Sequence, residues 1–165
     1  MQHDALLTTI AQVAATFAGF SGVIGIFRRG QSPAESELET FELRDIVEIS
    51  VSVALFALLP FVPTGFGVVE TTSWRFCSAA FALGVIGGFA AAMLRIRRHL
   101  GPVVVKSDPL RIAIALLIMA AIQGLLWLNV FGVSFGSPAT VYVVALLLGL
   151  GQAAFMFLRL LIPRG

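Results

Sequence analysis

The sequence predicts an all-α fold, a polytopic membrane helix bundle with five transmembrane helices, its N-terminus outside and its C-terminus cytoplasmic. Three observations carry that prediction. Hydrophobic residues make up 58% of the 165 and charged residues 12%, where a soluble domain carries about a quarter charged. The apolar residues gather into five stretches, each about the 20 residues that cross a hydrocarbon core. The basic residues between those stretches fall on alternate connections, which orients the chain. Mean hydropathy is +0.97. The chain is expected to form a single transmembrane domain over residues 1–165.

The spans are placed at 5–27, 46–69, 74–94, 110–131 and 139–161. The opening Met1-Gln2-His3-Asp4 lacks the positive region of a signal peptide, so the first span is kept as part of the mature protein. The polar segment between the first two spans, GQSPAESELETFELRD, reads as a helix. Ser32 caps, Pro33 suits the first helical position and Glu35 completes a capping box. No breaker follows until Pro60, so 33–59 is expected to be one helix of roughly 40 Å, with 33–45 a cytoplasmic extension. Pro60 and Pro63 are the places where the second span can end early. Residues 62–70, VPTGFGVVE, are similar to the T-x-G-F-G of a potassium filter. Thr64 meets Gly65 directly, however, and a full apolar span precedes it, so a Pro/Gly turn is expected. No internal repeat is evident, and an odd number of spans argues against inverted duplication.

The topology follows from Arg28, Arg29 and Arg44 between the first two spans, Arg95, Arg97, Arg98, Lys106 and Arg111 between the third and fourth, and Arg159 and Arg164 at the end. The opposite connections carry Arg75 or none. Trp74, Trp127 and Tyr142 all fall near the outer interface, as aromatic anchors do.

The first span divides into two faces on a helical wheel. Leu6, Ile10, Val13, Phe17, Phe20, Ile24 and Phe27 are bulky; Ala11, Ala15, Ala18, Gly19, Gly22 and Gly25 are small. The third span repeats the device with Ala80, Gly84, Gly88 and Ala91, and the fifth with Ala145, Gly149 and Ala153. Small faces let helices approach closely in lipid. Ala15, Gly19, Gly22, Gly84, Gly88 and Gly149 are therefore expected at close helix contacts, within one subunit or between subunits of a homo-oligomer.

Polar residues inside a membrane are costly and are functional candidates by default. Gln12 and Gln123 fall at similar depth and are expected within bonding reach of one another; Gln152 is deeper in the fifth span. Asn129 falls near the outer interface and is expected to be wet. Arg44, Glu48 and Ser52 repeat at four-residue spacing on one stripe, either an interfacial ion pair or the cytoplasmic mouth of a pore. Six acids, Glu35, Glu37, Glu39, Glu42, Asp45 and Glu48, share a side with Arg95, Arg97 and Arg98. Those arginines could dock the acidic helix or bind anionic lipid headgroups.

No enzyme constellation appears: no mid-membrane acid pair, nucleophile elbow, metal spacing or phosphate loop. His3 and His99 fall on opposite sides. Cys77 stands alone in an apolar run, so no intrachain disulfide is available. No cofactor is called for, and no basic–aromatic block points to nucleic acid. The expectation is a non-enzymatic protein of the plasma membrane (inner membrane in a bacterium), acting through helix packing and assembly as a structural, sensory or effector subunit. The alternative is a homo-oligomeric, cation-favouring channel. A small transporter fits least, because no span carries a mid-membrane charge.

Overall fold

The computed structural model describes residues 3–27, 33–95, 97–98, 109–133 and 136–161, with the backbone alone at 27, 33–39, 109–112 and 161. Every regular element among them is helical. In chain order these are α1 (Asp4–Phe27), α2 (Pro33–Leu58), α3 (Phe61–Gly65), α4 (Glu70–Arg95), α5 (Pro109–Phe131) and α6 (Pro138–Leu161). Among the described residues, five stretches are long and apolar enough to cross a membrane: Asp4–Ile26, Thr40–Gly65, Glu70–Arg95, Ala113–Phe131 and Pro138–Leu160. The chain divides into two compact units, one of Met1–Leu59 with Leu146–Gly165, the other Pro60–Ala145.

In the first unit α2 runs without a break from Pro33 to Leu58. The capping box lies outside the described side chains. α2 packs back along α1, and an added Cβ at Gly25 would sit 3.3 Å from Leu43 Cδ1. Leu43, Ile46 and Leu160 form a buried cluster joined by Ile24, Met156 and Phe157. Higher up, an added Cβ at Gly149 would meet Val53 Cγ2 at 3.0 Å. Phe17 and Phe157 meet edge-on, centroids 5.5 Å apart.

The second span does not continue as one helix to residue 69. Proline lacks the N–H that an α-helix interior requires, and α2 stops two residues before Pro60. Pro60 caps α3, and Pro63 falls in its first turn, where N–H groups have no intrahelical partner. Gly67, at φ 74°, then closes α3: its N–H donates to Thr64 O at 3.1 Å while the Val68 N–H reaches back to Pro63 O at 3.1 Å. That paired pattern is a Schellman turn, which needs a left-handed residue at its centre. Thr64 and Gly65 are thus helical, and the Thr64 hydroxyl donates to Pro60 O at 2.9 Å. The filter-like string forms no extended carbonyl ladder.

In the second unit α4 packs along α5. Its buried side is Ser73, Trp74, Cys77, Ser78, Phe81 and Ala82, all in its N-terminal half. α5 ends on a second Schellman turn: Gly132, at φ 77°, donates to Asn129 O at 3.2 Å, and Val133 donates to Leu128 O at 2.9 Å. The Arg75 guanidinium lies over this turn, its Nη2 2.6 Å from where a Gly132 Cβ would stand. A cation there faces the negative end of the helix dipole.

Candidate functional site: the intramembrane polar groups

In the 60–145 unit the polar side chains reach across from helix to helix. Gln123 projects from α5, and its Nε2 donates to Ala82 O of α4 at 3.0 Å. The Gln123 Oε1 is buried and accepts from no described residue. Gln12, the residue expected within its reach, belongs to the other unit.

Two turns further along α5, Asn129 corrects an expectation. It is 1% exposed, not wet. Its Nδ2 donates to Ser78 Oγ at 2.8 Å and to Pro138 O at 3.0 Å. One amide therefore joins α4, α5 and the start of α6. Its Oδ1 is buried without a described partner. Beside it, Tyr142 is fully buried, its ring 5.6 Å from Trp74 and 5.9 Å from Phe81. Trp74 and Tyr142 are buried side chains, and their rings pack on one another. Trp127 stacks on Phe131 at 5.9 Å. Cys77 is a buried free thiol.

In the first unit Gln12 is exposed and Gln152 half-buried, and neither side chain bonds a described residue. Arg44 Nε donates to Glu48 Oε1 at 2.7 Å, with the two side chains 61% and 40% exposed. Ser52, one turn on, is half-buried. The Arg44–Glu48 stripe is thus an ion pair along one helix. The close approaches fall at Gly25 and Gly149, while Ala15, Gly19, Gly22, Gly84 and Gly88 are all exposed. No described atom lies within 4 Å of an added Cβ at Gly19, Gly22 or Gly88. The packed stripe of α1 is instead Leu7, Ile10, Ala11, Ala14 and Ser21, the border between its small and bulky faces.

At the other end of α4, Arg95 Nε donates to Ala91 O at 3.3 Å, satisfying a carbonyl of the last turn. Arg97 and Arg98 are exposed. The acidic side chains of 33–39 and the loop 99–108 lie outside the described residues, and so does any docking between them.

Sequence reasoning counted Glu42 only among the six acids and did not foresee its burial, nor that of Ser21 and Ser50; the three are 5%, 1% and 0% exposed. Helical period held the signal for two of them: Glu42, Ile46, Ser50, Val53 and Ala57 form one buried stripe of α2. The Ser21 and Ser50 hydroxyls are buried without a described partner. Those of Thr8, Thr9, Thr16 and Ser73 instead donate to a carbonyl of their own helix one turn back. Among the described residues, no three His, Cys, Asp or Glu side chains gather as a metal site. No family model, curated protein or solved structure matches the chain.

Proposed function

We propose that this is a non-enzymatic, multi-pass protein of the plasma membrane, the inner membrane in a bacterium. It acts through helix packing and assembly as a structural, sensory or effector subunit. One observation carries the reading: Asn129 and Gln123 spend their amide protons on neighbouring helices, Ser78 and Pro138 for one and Ala82 for the other. A conducting path needs polar groups turned toward continuous water, whereas polar groups that hold a bundle together bond helix to helix. The Arg44–Glu48 pair belongs to the second pattern, since its charges neutralise each other. The N-terminus is placed outside and the C-terminus in the cytoplasm on the positive-inside rule. Arg95, Arg97, Arg98 and Arg159 then share the cytoplasmic face, where anionic headgroups are available to them.

The test is ion flux from vesicles containing the full-length protein, read beside its oligomeric mass in native-like lipid. Vesicles that hold their ion gradient support the reading. Cation flux that disappears when Glu48 is replaced by Gln would overturn it in favour of a pore.

A further inference from the structure

Two hydroxyls buried in the first unit lack a described partner. Ser21 of α1 is 1% exposed and Ser50 of α2 0%, and neither Oγ bonds a described residue. A hydroxyl inside a helix commonly returns its proton to a carbonyl one turn back, as Thr8, Thr9, Thr16 and Ser73 do. A buried hydroxyl left unpaired is destabilising, so two in one unit call for a partner.

The register brings the two together. Where α2 packs back along α1, an added Cβ at Gly25 would stand 3.3 Å from Leu43 Cδ1. Ser21 lies one turn from Gly25 on its stripe of α1, and Ser50 two turns from Leu43 on its stripe of α2. Counted from that contact, the two serines differ in height by about 5 Å. Helical side chains lean toward the N-terminus of their own helix. The two helices run in opposite directions, so the two hydroxyls lean toward one another.

α6 brings a third polar group to this level. An added Cβ at Gly149 would meet Val53 Cγ2 at 3.0 Å. Ser50 and Gln152 each stand three residues from that contact, on the side of the Leu43, Ile46 and Leu160 cluster. Gln152 is half-buried, and its amide bonds no described residue. Apolar contacts bound the interval at both ends: Val53 against Gly149, and the cluster with Ile24, Met156 and Phe157. Every residue named in this interval belongs to the first unit.

We propose that the interval holds a water molecule bonded to Ser21 Oγ, Ser50 Oγ and the Gln152 amide, so that one water joins α1, α2 and the end of α6. A water donates and accepts alike, and about three polar partners is the usual number for a buried one. A cation fits the same groups less well. All three are neutral, and a buried charge needs pairing; the acid two residues from Ser50, Glu48, is bonded to Arg44. This site is independent of the assembly role proposed above.

The test reads water contact in the full-length protein in phosphatidylcholine vesicles, by solid-state NMR with magnetisation started on water. The backbone signals of Ser21 and Ser50 are expected to build up about three-fold sooner than those of Ala14 and Ala57. Those two lie two turns away on the same stripes and are 0% exposed. Ser78 is as buried but accepts from Asn129, so it controls for the hydroxyl itself and should build up late. Signals of Ser21 and Ser50 no faster than that of Ser78 overturn the proposal. Thermal unfolding is the second measurement. Ser21→Ala and Ser50→Ala should each lower the midpoint, and the double variant should lower it by less than the sum, because either loss releases the same water. Single variants that raise the midpoint, and do so additively, mean unpaired hydroxyls in a dry core and overturn it. A midpoint raised by sodium chloride over choline chloride at equal ionic strength, with the rise lost in Ser50→Ala, overturns it in favour of a cation.

Discussion

Two amides of α5 differ in what they secure. Asn129 gives both amide protons to other helices, at 2.8 and 3.0 Å, so Asn129→Leu strands a serine hydroxyl and a proline carbonyl. The expected loss is about 1–2 kcal/mol, the upper part of the range for interhelical bonds in membrane proteins. Gln123 makes one such bond and already buries an unpartnered oxygen. Replacing it by Leu removes a contact and an unsatisfied acceptor together, so its cost should stay below about 1 kcal/mol. Unfolding midpoints of the two variants in the same micelle give the comparison, and equal losses would contradict it. At Gly132 the limit is the backbone: with φ at 77°, an alanine Cβ costs about 1–2 kcal/mol. It would also stand 2.6 Å from Arg75 Nη2. Arg75 is exposed and can swing aside, so adding Arg75→Gln to Gly132→Ala should recover little of the loss in the same denaturation assay.

At the scale of the helix, the sequence made the two faces of α1 visible but not the one that packs. In water the buried face is the apolar one. In lipid both the packed and the lipid-facing sides are apolar, so hydrophobicity does not separate them. The structure buries the border, with Leu7, Ala14 and Ser21 at its centre, residues that belonged to neither face. The length of α2 was legible because nothing in 33–58 breaks a helix. The turn at Gly67 was legible in kind because a Pro/Gly string ends the apolar run; the one at Gly132 was not read from the sequence. Asn129 was misplaced because its burial comes from α4 and from the start of α6, far away in sequence, and a depth count along one span contains neither. Small residues behaved unequally for the same reason. Gly149 faces Val53, 3.0 Å from an added Cβ, whereas Gly88 faces open space. Gly149→Val is therefore expected to destabilise by about 1–3 kcal/mol, the usual cost of overpacking. Gly88→Ala should be neutral or slightly stabilising through helix propensity. Adding Val53→Ala should restore part of the Gly149→Val loss, a non-additivity that a double-mutant cycle measures directly.

For the whole molecule the charge distribution makes the sharpest claim. The ends of α4 and α6 each carry arginine, Arg95 and Arg159, and the five-span topology proposed above assigns them, with Arg97 and Arg98, to one side. The other side has Arg75, which is occupied at the end of α5. Positive charge within about 15–20 residues of a span end sets orientation, while acidic residues contribute little. The six acids at 35–48 should therefore not offset Arg28, Arg29 and Arg44. A reporter fused after Gly165 that is active only in the cytoplasm is expected to be active, and one fused before Met1 silent. Replacing Arg95, Arg97 and Arg98 by Gln reduces the second cluster to Lys106 and Arg111 and leaves the first, which forms earliest in synthesis, so the orientation should hold. Replacing Arg28, Arg29, Arg44, Lys106, Arg111, Arg159 and Arg164 as well leaves Arg75 as the last basic residue, and a mixture of both orientations is then expected, seen as activity from either fusion. Retention of a single orientation without these ten charges would mean that something other than positive charge orients the chain.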